Sequence, residues 1–162
     1  MRTGDLAAVG ALSDSVHGRY TEPVHVYAER HRLYPEGCFV LDLGGMIAGY
    51  LVTHPWRRAN PPPLGAMLGA IPADADSYYL HDLALLPVAR GTGAGAAAAR
   101  HALNRARAAG FAEIVLVAVG GAEGFWSSRG FRPVEDAVLA AKLRRDYGPE
   151  ALYMRRPVMD RD

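Results

Sequence analysis

The sequence predicts a mixed α/β fold, in which a β-sheet is flanked by helices on both faces. Two apolar runs, 38–43 and 46–52, flank a Gly-Gly pair, which is the pattern of an antiparallel β-hairpin. A strand over 78–85, a helix over 93–109 and a strand over 113–119 follow one another, which predicts a right-handed parallel crossover. The strand over 113–119 is apolar without alternation, as in strands that are covered on both faces.

Composition sets broad limits on the kind of protein. The 162 residues, of which 50% are hydrophobic, suit a single globular domain spanning residues 1–162. A net charge of +1 predicts neither a nucleic-acid surface nor a disordered tail. The lone Cys38 excludes an internal disulfide, and the six histidines lack metal-ligand spacing, so no metal is expected. Since the chain has neither a run of membrane-spanning length nor a signal-peptide pattern, we expect no membrane contact and a cytoplasmic location.

The chain opens with two predicted helices. Thr3-Gly4-Asp5 starts a capped helix with apolar residues at helical spacing, and a second helix is expected from about 22 to 33. After the hairpin, residues 55–77 lose all periodicity. A loop of this length is uncommon inside a compact domain and often functional. It forms either a wall of an acceptor pocket or a surface excursion or subunit contact.

The stretch from 78 to 96 is the centre of the sequence. An aromatic and aliphatic strand is broken by Pro87 and followed by Arg90-Gly91-Thr92-Gly93-Ala94-Gly95 and an Ala-rich helix that ends at Gly110. Glycines that expose amides at the start of a helix predict a phosphate-binding loop. The donors of the first helical turn lack partners, and the helix dipole is positive there.

Four interpretations of this loop compete. A P-loop requires Gly-Lys-Ser/Thr, and the only lysine is Lys142, so a P-loop is excluded. A Rossmann fingerprint is matched formally by Gly91-x-Gly93-x-x-Ala96, but no acidic residue ends the following strand. A glycine-rich turn without a ligand is the third interpretation. In the fourth, the loop resembles the acyl-CoA loop of the GCN5-related N-acetyltransferases (GNAT), Arg/Gln-x-x-Gly-x-Gly/Ala, which it fits at every position.

A second motif of that family follows the crossover. A short helix is predicted over 122–129, and the segment 122–131 is similar to the family's Ala-x-x-Phe-Tyr-x-x-x-Gly-Phe. Residues 138–143 form either a helical turn or a strand, and 151–158 are expected to form the last strand. With both motifs in order, the chain resembles the GNAT family from about Cys38 onward. The resemblance implies a mixed, mostly antiparallel sheet with a splayed pair of parallel strands.

The resemblance also implies a reaction and its cosubstrate. An acetyl group would pass from acetyl-CoA to a primary amine of a small molecule, a peptide N-terminus or a lysine. The glycine loop would donate main-chain N–H groups to the CoA pyrophosphate, while the strand before it pairs with the pantetheine arm and polarises the thioester. The CoA-binding residues implied in this way are Leu83, Ala84, Leu85, Arg90, Gly91, Thr92, Gly93, Ala94, Gly95, Ala96 and Trp126.

Direct attack requires a neutral amine, so a base has to remove its proton. Imidazole suits this task because its ordinary pKa lies near neutrality, and His81 is the candidate. Strand alternation predicts that His81 shares a face with Tyr79, Leu83 and Leu85. Asp82 would lie on the opposite face as a structural hydrogen-bonding partner. The strand is similar to the His-x-His-x-Leu-Ala-Val of arylalkylamine acetyltransferases, with Tyr79 in place of the first histidine.

The sequence departs from the family at three places. Trp126 stands where a tyrosine commonly protonates the departing thiolate, and an indole N–H is not an acid. Tyr147 is our first candidate for that acid, with Tyr153, water or unaided departure as alternatives. Val119 replaces an asparagine that often precedes this helix. The family's first strand is expected either to be very short or to lie before the start of this sequence, and an uncovered edge strand would favour a homodimer.

Three functions follow from these observations. The leading hypothesis is an acetyl-CoA-dependent N-acetyltransferase, whose acceptor the sequence does not specify. The second hypothesis, which follows from a tryptophan in place of the family's tyrosine at Trp126, is a CoA-binding module that senses or regulates without catalysis. A nucleotide binder of Rossmann type would instead bind NAD and ignore CoA.

Overall fold

A computed structural model describes residues 1–158, in which six strands form one sheet. The strands are β1 (Cys38–Leu43), β2 (Met46–Trp56), β3 (Ser77–Leu85), β4 (Glu113–Ala118), β5 (Arg132–Pro133) and β6 (Leu152–Pro157). The helices are α1 (Leu6–His17), α2 (Val24–Leu33), α3 (Ala94–Ala108), α4 (Glu123–Ser127) and α5 (Ala137–Asp146). The spatial order is β1-β2-β3-β4-β6-β5, and β3 and β4 are the one parallel pair among these strands.

This sheet confirms the predicted fold class and decides two alternatives. A mostly antiparallel sheet is incompatible with the doubly wound parallel sheet of a Rossmann fold. Residues 138–143 belong to helix α5, whose first turn is capped by Asp136 through a 2.9 Å bond from the Leu139 amide. Before α1, the chain forms a short 3₁₀ turn over Thr3–Asp5, and β1 is an edge strand that pairs with β2.

Helices cover the sheet on both faces, as the sequence predicts. Helix α3 lies on one face, where its alanines allow close approach to β3 and β4. The core there contains Ala99, Ala102, Leu103 and Ala106 against Tyr78, Leu80, Ile114 and Leu116. Helices α1, α2 and α5 lie on the other face. One cluster on that face contains Val9, Leu12, Tyr27, Tyr50 and Val52. The other cluster contains Tyr79, Val115, Leu139, Leu143 and Tyr153.

The parallel pair β3–β4 splays apart, which confirms the expectation taken from the family. Pairing covers only Tyr78–Leu80 against Ile114–Leu116. Beyond Leu80, β3 continues to Leu85 with β2 on one side and no strand on the other. The C-terminal half of β3 therefore presents a free backbone edge to a cleft.

A β-bulge at His81 interrupts strand β3. Thr53 pairs with Leu80 and Val52 pairs with Asp82, so that His81 is an extra residue without a partner on β2. An extra residue shifts the alternation of all following side chains by one position.

The bulge makes one sequence prediction wrong. His81 does not share a face with Leu83 and Leu85, and it does not lie opposite Asp82. His81 and Asp82 both contact residues of the α1–α2 region, whereas Leu83 packs into the core beneath α3. Simple alternation failed because it assumes one residue per pleat along the whole strand.

Candidate functional site

A cleft of about 230 Å³ opens where β3 and β4 diverge. Its floor is formed by both strands, and its sides are formed by the α1–α2 turn, helix α4 and the long loop before β3. The predicted base His81 and the predicted acid Tyr147 both line this cleft, as does Trp126. The structure thus brings three sequence-predicted residues together.

His81 is paired with Glu22, a residue that sequence reasoning missed. The two atoms His81 Nε2 and Glu22 Oε2 are 2.6 Å apart, and both side chains are only 4% exposed. The Gly65 amide donates to the other oxygen of Glu22 at 2.7 Å. Burial acts to raise the pKa of Glu22, but the charge and hydrogen bond of His81 and the Gly65 amide outweigh it and hold this pKa below its usual value. Glu22 is therefore an ionised anchor for the imidazole.

Three further rings lie next to the His81 ring. The ring centroids of Tyr79, His54 and Tyr27 lie 6.1, 6.0 and 6.5 Å from that of His81. Burial lowers the pKa of His54 to about 3, so this neighbour stays neutral at physiological pH. The His81 imidazole is thus held on a rigid wall.

A second imidazole–carboxylate pair lies beside the first one. His17 Nε2 is 2.8 Å from Asp82 Oδ1. The other Asp82 oxygen accepts bonds from the hydroxyls of Tyr50 at 2.6 Å and Tyr27 at 3.0 Å. Asp82 therefore has the structural hydrogen-bonding role that we predicted, although on the other face of the sheet.

His17 and Asp82 shift each other's pKa. Burial acts to lower the pKa of His17, but the hydrogen bond and charge of Asp82 raise it above its ordinary value. Burial likewise acts to raise the pKa of Asp82, and its bond to His17 holds it below the usual range. Nothing in the sequence signals this pair, because His17 ends a helix and belongs to no motif.

The glycine loop has the geometry of an anion site. Gly91 and Gly93 adopt φ values of +73° and +89°, which L side chains rarely adopt. The Ala97 amide donates the first bond of α3 to the Gly93 carbonyl at 2.9 Å, so the amides of the preceding residues have no acceptor inside the helix. A Cβ on Gly95 would lie 3.0 Å from the Phe125 ring, which explains a glycine there by close packing.

The side chains around this loop hold it against β3. Arg90 Nε donates to the Leu85 carbonyl at 3.1 Å, and Thr92 Oγ1 donates to the Ala89 carbonyl at 2.7 Å. The exposed loop and the free edge of β3 at Leu83–Leu85 therefore form one continuous surface that leads into the cleft. A phosphate group on the loop and an extended chain along the strand fit this arrangement.

Trp126 and the candidate acid Tyr147 both lie in the cleft wall. Trp126 is 7% exposed and packs edge-on against Phe125 and Phe131, with ring centroids 4.8 and 5.4 Å away. The Tyr147 hydroxyl donates to the Pro62 carbonyl, and burial raises the pKa of Tyr147. The alternative Tyr153 accepts a bond from the Ala59 amide at 3.0 Å and does not line the cleft.

The long loop between β2 and β3 forms a wall of the cleft. Leu64 faces the cleft, next to the Gly65 amide that binds Glu22. Buried Arg30 donates to the Ala66 carbonyl at 2.7 Å, and Glu29 accepts bonds from the amides at 68 and 69 at 2.7 and 2.9 Å. Of the two interpretations of this loop, the structure therefore supports the pocket wall.

Other kinds of site are not found in residues 1–158. No group of three or more His, Cys, Asp or Glu side chains there is arranged to hold a metal ion. None of the helices in this part of the chain combines the length and the apolar content that a membrane span needs.

Comparisons with known proteins agree with this geometry. The sequence profile of the acetyltransferase (GNAT) family matches residues 10–131. No curated protein matches the chain.

Solved structures share the fold at low sequence identity. One is the GphF GNAT-like decarboxylase in complex with isobutyryl-CoA, with a TM-score of 0.80, 17% identity and coverage of 98% of this chain and 97% of that chain. The loading GNATL domain of CurA from Lyngbya majuscula has a TM-score of 0.80, 14% identity and coverage of 98% and 95%. The ribosomal-protein-S18-alanine N-acetyltransferase from Escherichia coli has a TM-score of 0.67, 18% identity and coverage of 100% and 93%. At these identities the likeness concerns the fold alone.

Proposed function

The chain belongs to the acetyltransferase (GNAT) family, a family of acyl-CoA-dependent acyltransferases, and we propose that it transfers an acetyl group from acetyl-CoA to a primary amine by direct attack. One observation carries the proposal. The His81–Glu22 pair lies in the cleft, and the free edge of β3 runs from this cleft to Leu85, where Arg90 of the glycine loop donates to the Leu85 carbonyl at 3.1 Å.

The residues of the loop and of β3 suit the binding of the cosubstrate. The main-chain amides from Gly91 to Ala96 would bind the pyrophosphate, whereas the Arg90 amide already donates to the Pro87 carbonyl at 3.1 Å. Such charge-assisted bonds contribute about 1.5–3 kcal/mol each. The backbone of Leu83–Leu85 would pair with the pantetheine arm along the open edge. Trp126 would pack beside the thioester in the cleft wall. Acetyl-CoA supplies an activated acyl group to this site.

His81 would prepare the acceptor for attack. An amine arrives mostly as an ammonium ion, and its proton would pass to the imidazole, either directly or through one water. Glu22 would orient the ring and stabilise the imidazolium that forms, as a carboxylate does in other histidine-based sites.

Tyr147 would assist the departing thiolate. Its hydroxyl lies in the cleft wall and stays protonated at neutral pH, because burial raises its pKa. A hydroxyl of this kind stabilises the thiolate as a hydrogen-bond donor, and water supplies the proton. The bond from Tyr147 to the Pro62 carbonyl would have to be shared or exchanged in this step.

The direct test is an acceptor screen with release of free thiol as the readout. The purified protein is mixed with acetyl-CoA and a panel of amines, peptides and lysine-containing substrates. Propionyl-CoA and isobutyryl-CoA in place of acetyl-CoA test the identity of the acyl group. We expect amine-dependent thiol release that is greatest with acetyl-CoA.

The replacement at Trp126 supports one alternative, a CoA-binding module without catalysis. That alternative predicts tight CoA binding and no amine-dependent thiol release with any acceptor. A cytoplasmic location and a homodimer formed through the edge strand β1 also remain predictions.

A further inference from the structure

The cleft is lined by two carboxylates that are each paired with an imidazole. Two carboxylates, Glu22 and Asp82, line it, and the pKa of each lies below its ordinary value, so both are ionised at neutral pH. The balancing groups are two imidazoles, His17 and His81. No arginine or lysine lines the cleft within residues 1–158.

The nearby cations are turned to other partners. Arg19 is 61% exposed, and its guanidinium donates to the Tyr20 hydroxyl at 2.5 Å and lies 3.9 Å from Glu150. Arg30 is buried against Glu29 and the Ala66 carbonyl. Neither arginine is among the residues that line the cleft.

We infer that the acceptor is a primary amine that carries no carboxylate on the carbon next to its nitrogen. This inference rests on the proposed function and names the substrate class of the same site. The reacting nitrogen has to enter the cleft beside His81 and Glu22, where an ammonium ion is attracted by the carboxylates. A carboxylate one carbon away would enter the same space, facing Glu22 and Asp82, whose imidazole partners are already engaged, without an arginine or lysine to pair it.

The physical reason is exclusion by unpaired like charge. A carboxylate brought against another carboxylate in a water-poor site loses its hydration and gains no partner. Like-charge contacts of this kind cost enough to lower the affinity by about two orders of magnitude. Free α-amino acids are therefore poor acceptors, whereas amino alcohols and simple alkylamines are accepted.

The test compares acceptors that differ only in this group. Phenylalaninol is compared with phenylalanine, and alaninol with alanine, so that each pair keeps its side chain and amine. Two readouts are collected: kcat/KM for thiol release with acetyl-CoA, and calorimetric binding to the protein saturated with CoA. We expect each amino alcohol to exceed its amino acid by about 100-fold in both readouts.

The binding readout separates this inference from the proposed function. The inference is overturned if the amino acids bind as tightly as the amino alcohols or more tightly. It is also overturned if none of the four compounds binds. Preferential binding of the amino alcohols without any thiol release supports the inference, and in that case the proposed catalysis fails.

A variant with an added cation tests the cause. Leu64→Arg places a guanidinium on the cleft wall, and Leu64→Gln is the neutral control of similar length. We expect the preference for the amino alcohol to fall about tenfold in Leu64→Arg and to stay unchanged in Leu64→Gln. An unchanged preference in a folded Leu64→Arg protein contradicts the electrostatic explanation, and the wild-type comparison stands whether or not that variant folds.

Discussion

At the scale of single residues, the site depends on two imidazole–carboxylate pairs with different surroundings. Both members of the His81–Glu22 pair are almost fully buried. His17 is 18% exposed and is held by an aspartate that two tyrosine hydroxyls also bind. The first pair is suited to proton transfer on a rigid wall, and the second one mainly ties α1 to the sheet.

Replacing His81 tests the proposed base. His81→Gln should lower kcat by about 10²–10⁴-fold, because general-base assistance is lost. The pH–rate profile should also differ in shape from that of the wild type. The matched control is His25→Gln on the exposed surface of α2, which should leave both unchanged. A wild-type profile in His81→Gln would remove His81 from the mechanism.

The His17–Asp82 pair predicts a pH-dependent stability. The pKa of His17 is raised, so its contribution is fully present below the unfolded value of 6.5 and is lost as the pH rises through the folded pKa. The pKa of Asp82 is lowered, so its contribution is present above 3.8 and is lost as the pH falls through the folded pKa.

His17→Gln should therefore destabilise the protein most between the unfolded pKa values of 3.8 for Asp82 and 6.5 for His17. We expect a loss of about 1–2 kcal/mol in the free energy of unfolding at pH 6 and a smaller loss at pH 9, measured by urea titration. A loss that grows with pH would contradict the assignment of the charged pair.

At the scale of elements, the turn into α3 decides whether the amides are presented. Gly93 has a φ of +89°, and an alanine there costs about 1 kcal/mol or forces the loop to change shape. Gly93→Ala should therefore weaken CoA binding and lower stability. Gly124→Ala in α4 is the matched control, because its Cβ would meet no atom within 4 Å and its φ is not positive. Calorimetric titration with CoA separates the two variants, and equal affinities would exclude the loop from CoA binding.

The wall formed by the β2–β3 loop depends on the buried pair Glu29–Arg30. Glu29 Oε2 is 2.7 Å from Arg30 Nη1, and the same carboxylate accepts two loop amides. Glu29→Gln should cost about 3–5 kcal/mol in the free energy of unfolding, because the buried guanidinium loses its counter-charge. Glu36→Gln at an exposed position should stay within about 0.5 kcal/mol. Similar urea midpoints for the two variants would show that the loop does not depend on this anchor.

At the scale of the whole molecule, cosubstrate binding should stabilise the fold. A ligand that binds the native state alone adds about 2.7 kcal/mol at 100 times its Kd. For a domain of this size that increment corresponds to a rise in Tm of roughly 5–10 °C. Thermal unfolding with acetyl-CoA should show this rise, and NAD at the same concentration should show none. A shift with NAD alone would contradict the site assignment.

Much of the fold could be predicted because the signals are local. The Gly44-Gly45 turn, the apolar runs around it and the strand–glycine–helix order each act within a few residues. They led to the hairpin, the crossover and the glycine loop, which the structure contains at nearly the predicted boundaries. The family resemblance, based on the two motifs, supplied the splayed strand pair.

The sequence by itself thus determined most of the elements and the glycine loop, and it named His81, Trp126 and Tyr147 as candidate site residues. The helix over 138–143 and the one cleft that these three residues line came from the structure. Only the tertiary structure decided the bulge at His81, because strand register depends on pairing with β2. Only the packing of α1 and α2 onto the sheet brought Glu22 to His81 and His17 to Asp82. Contacts between residues about 60 positions apart leave no local pattern, since they depend on where whole elements come to rest.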